Sequence, residues 1–187
     1  MDARRVALLL SGLFVVVLVA EVTGVTPLDG VAESVFAGLR SDAVRGVVLA
    51  LNVPSLIVLF GLFVWSVVVL RWRAVIAGAA AALIAYVVKF LISRARPEGG
   101  FYLPFGSSFP SGHATSAAVV VTLCWFALAE RKPKRWKMYG CLITSFGVLI
   151  VISRLYLGVH WLSDVAAGVA LGCACVAWFS LGRNNER

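Results

Sequence analysis

The stretch "SRLYLGVHWLSD" at 153–164 stands between "GCLITSFGVLIVI" at 140–152 and "VAAGVALGCACVAWF" at 165–179. Both flanks are apolar enough to lie in lipid, yet the segment joining them carries an arginine, a histidine and an aspartate. Two oily helices meeting at a short polar connector form the repeating unit of a membrane bundle, and the rest of the chain repeats that unit.

Of 187 residues, 61% are hydrophobic and only 14% are charged, with a mean hydropathy of +0.95. A soluble domain carries about a quarter charged residues. The apolar residues come in long blocks at Val6–Val22, Val47–Leu70, Ala74–Ile92, Ala114–Ala129, Met138–Ile152 and Val165–Leu181. A membrane-crossing helix needs about 20 residues, so the short fourth and fifth blocks are expected to extend into their flanks. No linker or low-complexity tract divides the chain. The expected fold is all-α, a six-transmembrane-helix bundle forming one domain over residues 1–187. Block one follows Arg4 and Arg5 like a signal peptide, but the poor cleavage context of "LVAEV" favours an uncleaved anchor.

Between the first two blocks lies "GVAESVFAGLRSDAVRG" at 30–46. Val31, Val35, Leu39 and Ala43 recur every fourth residue beside Phe36. This is the pattern of a helix lying in the membrane interface, and a frayed start to the second span accounts for it nearly as well.

The net charge of +8 does not mark a nucleic-acid protein, because the basic residues sit at block ends and form no stripe. With a cytoplasmic N-terminus, Arg4, Arg5, "RWR" at 71–73, "RKPKRWK" at 131–137 and the tail "RNNER" hold eleven of the seventeen Lys and Arg residues on the inner side. The positive-inside rule then puts both termini in the cytoplasm and the connectors at 93–113 and 153–164 together on the outer face. Cys124, Cys141, Cys173 and Cys175 lie in or beside apolar blocks without zinc-like spacing, and read as buried thiols within helices. Small residues at "GVALG" (168–172) and "AGAAAA" (77–82) suit close helix packing.

Both histidines, His113 and His160, fall in the outer connectors. Ionisable groups this close to hydrocarbon are costly and normally face a cavity with partners. In "KFLISRARP", Lys89 and Arg96 are seven apart, which on a helix puts them on one face, with Pro97 ending the helix near Arg96. In "PSGH" at 110–113, Ser111 is a candidate N-cap and Gly112 leaves the backbone amides approachable; a helix N-terminus of this kind suits phosphate. His160 and Asp164 are four apart, adjacent on a helical face, so the carboxylate can accept Nδ1–H and leave Nε2 as a nucleophile. Each motif alone has a plain structural explanation. Together they gather three cations, amide donors and two proton-active rings on one side of the membrane, and that set suits phosphoryl transfer.

The three stretches resemble the signature of the type 2 phosphatidic acid phosphatase superfamily of integral membrane lipid phosphatases. Lys89, six residues, Arg96 and Pro97 match its first motif. "PSGH" matches the second, and Ser153, Arg154, five residues, His160, three residues and Asp164 match the third. The resemblance implies a six-helix membrane fold and hydrolysis that needs neither metal nor cofactor. It further implies that His160 attacks phosphorus to form a phosphohistidine, that Asp164 orients it, and that His113 protonates the leaving oxygen and then helps activate water. Lys89, Arg96, Arg154 and the amides at Ser111–Gly112 are implied to hold the phosphate. Such roles require a neutral His160 and a protonated His113, hence a bell-shaped pH profile with values belonging to the coupled pair.

The implied partner is a membrane lipid. Among substrates, undecaprenyl diphosphate is favoured by the chain's short length and outward-facing site, with phosphatidate or phosphatidylglycerol phosphate next. "FYLPF" at 101–105 supplies aromatics for an interfacial belt or for the tail's route to the site. A phosphotransferase would use the same residues. A non-catalytic anion carrier would keep the cations without needing a His–Asp pair, and a haloperoxidase-like pocket is disfavoured because those relatives are soluble. Charge bias and size fit a prokaryotic cytoplasmic membrane.

Overall fold

A computed structural model describes residues 3–24, 26–102 and 104–180. Among these residues the secondary structure is entirely helical: α1 (Ala3–Val22), α2 (Pro27–Leu39), α3 (Asp42–Ala50), α4 (Asn52–Leu70), α5 (Trp72–Ile92), α6 (Gly112–Arg131), α7 (Trp136–Tyr156) and α8 (Leu162–Ser180). Six spans are long and apolar enough to cross a membrane, with α3 and α4 running together as one of 29 residues. The fourth and fifth apolar blocks extend into their flanks, giving helices of 20 and 21 residues.

α6 and α8 form the centre of the bundle. Their most apolar windows are 56% and 61% buried, against 6% for α1, whose outer face is left to lipid. Glycine explains how closely the central pair approaches. A Cβ added at Gly168 would stand 2.7 Å from the Ser111 carbonyl oxygen, and one at Gly172 would stand 2.6 Å from that of Thr115. Backbone therefore packs against backbone along this seam, which is how small residues drive helix association where lipid removes the hydrophobic incentive. On α5 the small face of Ala74, Ala77, Ala81 and Ala85 packs against Val119 and Leu123 of α6 and Leu171, Cys175 and Val176 of α8. α1 joins α8, and Trp178 Nε1 donates to Ser11 Oγ at 2.9 Å. The expectation of buried thiols is corrected at Cys141, which is exposed on α7, and at Cys173, which is half-buried; Cys124 and Cys175 are buried.

The segment after α1 departs from the single interfacial helix expected through Ala43. α2 ends at Leu39 because Arg40 turns extended and reaches across the molecule. Its Nε donates to the Tyr156 carbonyl at 3.0 Å and its Nη2 pairs with Glu33 at 2.7 Å. Ser41 then caps a second helix, α3, which carries Ala43 and continues into the second span. Val31, Val35 and Leu39 are exposed along α2, whereas Asp29 is buried toward α8. The two alternative readings of this segment each describe one of its helices.

The helix ends at Ile92, Gly112, Tyr156 and Leu162 bring the connectors at 93–111 and 157–161 to the same end of the bundle. Arg4, Arg5, 71–73 and 131–137 lie at the other end. The basic tail at 183–187 lies outside the described residues.

Candidate active site

α5 stops at Ile92, where Ser93 takes a left-handed conformation and its amide bonds back to the Lys89 carbonyl at 3.1 Å. Arg96 therefore lies beyond the helix, and the expectation that it shares a helical face with Lys89 is corrected. The two meet by another route. Lys89 Nζ donates to the Ser107 carbonyl at 2.8 Å, and Arg96 Nη2 reaches the same oxygen at 3.3 Å. Arg96 Nη1 also donates to the Val159 carbonyl at 2.6 Å. Backbone carbonyls of both connectors thus aim the two cations.

Ser111 caps α6, its hydroxyl accepting from the Ala114 amide at 3.5 Å. The backbone amide of Ser111, expected to face a phosphate, instead donates to the Asp164 carbonyl at 3.0 Å. The free donors of this helix end are therefore those of Gly112 and His113, which precede any partner carbonyl within the helix. A Cβ built at Gly112 meets nothing within 4 Å, so the space beside this helix end is open.

His160 is not on α8. The helix begins at Leu162, and Asp164 lies in its first turn, reaching back to accept the Trp161 amide at 2.8 Å in the manner of a capping box. That reach sets Asp164 Oδ2 at 3.4 Å from His160 Nδ1. The expected pair forms, but through a helix cap and a turn in place of two positions on one helical face. His160 is 5% exposed and Asp164 is fully buried. Burial pushes the imidazole below the ordinary histidine value and outweighs the opposing hydrogen bond to Asp164, so the ring is neutral near pH 7. Its Nε2 faces Arg96 Nη1 at 3.5 Å.

Arg154, in the last turn of α7, has a fully buried guanidinium. Nε and Nη2 donate to Ser153 Oγ at 3.1 and 2.9 Å. Tyr102 lies in electrostatic reach, yet Nη1 has no hydrogen-bond partner among the described residues. The same holds for His113 Nε2, which stands within electrostatic range of Arg154, His160, Arg96 and Lys89. All eight residues expected at the site lie at one end of the bundle. Among the described residues no His, Cys, Asp or Glu side chains gather into a metal-holding group.

Three further residues belong to this cluster and carry no local signal in the sequence. Arg94 Nη1 contacts Asp164 Oδ1 and Ser163 Oγ, each at 2.6 Å, while Nη2 pairs with Asp29 Oδ2 at 2.6 Å. Glu21 Oε2 stands 2.9 Å from Nη1, in ion-pair contact but off hydrogen-bond geometry. Their partners are 65 or more residues away along the chain, so no motif spacing announces them.

A buried guanidinium with an unpartnered N–H, open helix-end amides and a neutral imidazole backed by a carboxylate can bind a tetrahedral oxyanion and attack its centre. The chain is 39% identical over 94 residues to phosphatidylglycerophosphatase B of Bacillus subtilis (strain 168), covering 48% of this chain and 46% of that protein. It is 37% identical over 128 residues to a decaprenylphosphoryl-5-phosphoribose phosphatase of Mycobacterium tuberculosis, covering 63% and 64%. The matched stretch thus spans less than two thirds of either relative. In fold it is similar to the crystal structure of the first transmembrane PAP2 type phosphatidylglycerolphosphate phosphatase from Bacillus subtilis, with a TM-score of 0.80, 22% identity and 97% of both chains covered. The sequence profile of the PAP2 superfamily matches residues 71–187, which contain every motif residue of the site, and the chain belongs to that superfamily.

Proposed function

We propose that the protein hydrolyses a membrane lipid phosphate or diphosphate through a phosphohistidine. His160 Nε2 attacks phosphorus as the bond to the lipid-side oxygen breaks, and Asp164 holds Nδ1–H. His113 gives its proton to the leaving oxygen, then takes one from the water that attacks the phosphohistidine and releases inorganic phosphate. Arg154, Lys89, Arg96 and the amide of Gly112 hold the phosphoryl oxygens, with Ser111 acting as the cap that shapes the helix end. The observation that carries this reading is the pair of buried, unpartnered groups, Arg154 Nη1 and His113 Nε2, beside a neutral His160. A buried donor without a partner costs about 1–3 kcal/mol, and a phosphate oxygen removes that cost.

An apolar groove supports a lipid substrate. It has a volume of about 490 Å³ and runs between α4, α5 and α6, with Phe63 and Gly78 deep in it and Lys89 and Gly112 at its head. Gly78 and Lys89 are about 16 Å apart along α5, roughly half of the ~30 Å hydrocarbon core, which is the depth of one leaflet. The phosphate residues and a tail path are therefore continuous. We favour a polyprenyl-linked phosphate, undecaprenyl diphosphate first: the relative named for a decaprenyl-linked phosphoribose supports the polyprenyl tail, and a relative named undecaprenyl-diphosphatase supports the diphosphate. Phosphatidylglycerol phosphate follows from the name of the Bacillus relative. Both termini are cytoplasmic and the site opens on the outer face, on the strength of the positive-inside bias.

Phosphate release from purified undecaprenyl diphosphate, phosphatidylglycerol phosphate and phosphatidate in mixed micelles tests the reading, with His160→Ala as the blank. Wild type should release phosphate at least about a thousandfold faster than the blank, as expected for loss of a nucleophile. Equal release from every lipid sinks it. Transfer of the phosphoryl group to an added alcohol, in place of release, would identify a phosphotransferase.

A further inference from the structure

We propose that Arg94, held in place by Asp29 of α2, is a positioning residue that fixes the Asp164 carboxylate and through it the attack geometry of His160. The inference rests on the phosphohistidine reading above.

Asp164 has two oxygens and both are committed. Oδ2 takes the Trp161 amide and the His160 Nδ1–H, and Oδ1 takes Arg94 Nη1 at 2.6 Å. Without Arg94, Oδ1 loses its hydrogen-bond partner and the carboxylate is free to turn about its own axis, taking the histidine with it. Arg94 is itself fixed on two sides. Nη2 bonds Asp29 Oδ2 at 2.6 Å, and the guanidinium lies 5.4 Å from the centroid of the Trp161 ring. Asp29 also accepts the Ser163 amide at 2.8 Å and the Ser163 hydroxyl at 2.6 Å, so it clamps the first turn of α8 directly. Asp29 is 5% exposed. A buried carboxylate that pairs with one arginine and two groups of a neighbouring helix turn is built to hold that turn still.

Asp29 lies outside residues 71–187, the part of the chain that carries the motifs and matches the family. Segment 27–39 is thus a structural member of the site, and the interfacial helix locks its outer wall. Arginine suits the post and lysine does not, because a planar fork bridges two carboxylates and a point charge cannot.

The charge environment gives a readout that a purely structural role would not move. His160 faces Asp164 on α8, Lys89 on α5, Arg96 in the connector after it, and His113 on α6, while Arg94, Asp29 and Glu21 reach it only through Asp164. Loss of the Arg94 charge leaves Asp164 without its neutralising partner, so the carboxylate holds a proton on His160 more tightly. That favours imidazolium, so the acidic limb of activity should move to higher pH.

The experiment compares wild type, Arg94→Gln, Arg94→Lys and Asp29→Asn in detergent by kcat, KM, melting temperature and NMR titration of His160. Arg94→Gln should lower kcat about ten- to a hundredfold, the usual size for a group that orients a catalytic residue, with KM within about threefold and the His160 titration raised. Arg94→Lys should restore the titration but only part of kcat. Asp29→Asn should reproduce the kcat loss at a smaller size with the fold intact, which keeps the inference open to refutation if Arg94→Gln does not fold. Unchanged kcat and an unchanged His160 titration in Asp29→Asn and in whichever Arg94 variants fold overturn it. If wild type matches His160→Ala, the phosphohistidine reading has failed, and the NMR titration still decides whether Arg94 governs His160.

Discussion

Arg154→Met should separate stability from activity. Arg154 is 2% exposed, with Nη1 unpartnered, Nε and Nη2 donating to Ser153 Oγ, and Tyr102 beside it. Exchanging a buried charge for an apolar side chain of similar length is often neutral or stabilising by about 1–4 kcal/mol. Ser153 suffers no loss, because its hydroxyl continues to donate to the Ile150 carbonyl at 2.6 Å. The Met variant therefore melts in detergent at or above the wild-type temperature. Activity moves the other way. A hydrogen bond to a charged group is worth about 1.5–3 kcal/mol, and at about 1.4 kcal/mol per decade one lost bond lowers kcat/KM about ten- to 150-fold. Met removes the whole guanidinium and should lie at or beyond the upper figure. Arg154→Lys keeps the charge and should lie within the range. Initial rates of phosphate release across substrate concentration, read beside a melting curve, decide the matter. A Met variant with wild-type kcat/KM, or one whose activity falls only in step with a lower melting temperature, refutes the assignment of Arg154 to the phosphate.

Three other outcomes follow from the site. Because burial holds His160 below the ordinary value of about 6.5, and attack needs the neutral ring, the acidic limb of kcat/KM should have its midpoint below pH 6.5. A pH series in mixed micelles with a midpoint above that value counts against His160 as the nucleophile. Gly112→Ala should fold normally, since its methyl meets nothing within 4 Å, yet it should raise KM several-fold by intruding beside the free amides; an unchanged KM removes those amides from phosphate binding. Ala82→Phe, on an exposed wall of the groove, should slow turnover of a long-tailed lipid phosphate while sparing a short-chain analogue, and equal effects on both would separate groove from tail.

The six spans and the three motifs were legible because their signals are local. Hydropathy is summed over neighbours, and the spacing from His160 to Asp164 is short enough for one turn of chain to close. Even so, the local rule gave the right pair for the wrong reason: the contact is made by a helix cap, since α8 begins two residues past His160. Ser111 failed in the same way. The sequence marks it as a cap, but only the packing of α6 against α8 reveals that its amide is taken by the Asp164 carbonyl. Arg94, Asp29 and Glu21 were out of reach altogether. Arg94 sits two residues before the motif arginine and looks like one more basic residue at an interface, while its carboxylate partners come from a different part of the chain. Ion pairs across such distances are fixed by tertiary packing and leave no periodicity to read.

The groove between α4, α5 and α6 changes what concentration means for this protein. Phe60 and Tyr86, exposed on the flank of the bundle, stand at its margin, so its mouth faces the surrounding acyl chains. A lipid phosphate of the proposed kind arriving there would come from within the plane of the bilayer. Its availability would then be a mole fraction among lipids and not a molarity in water. Adding vesicles of the same composition should leave the rate per enzyme unchanged, whereas diluting the phosphate lipid with inert lipid at constant total substrate should slow it. The size of the neighbouring lipid pool, and how fast it is replenished by lateral diffusion, would then set the working rate in the cell.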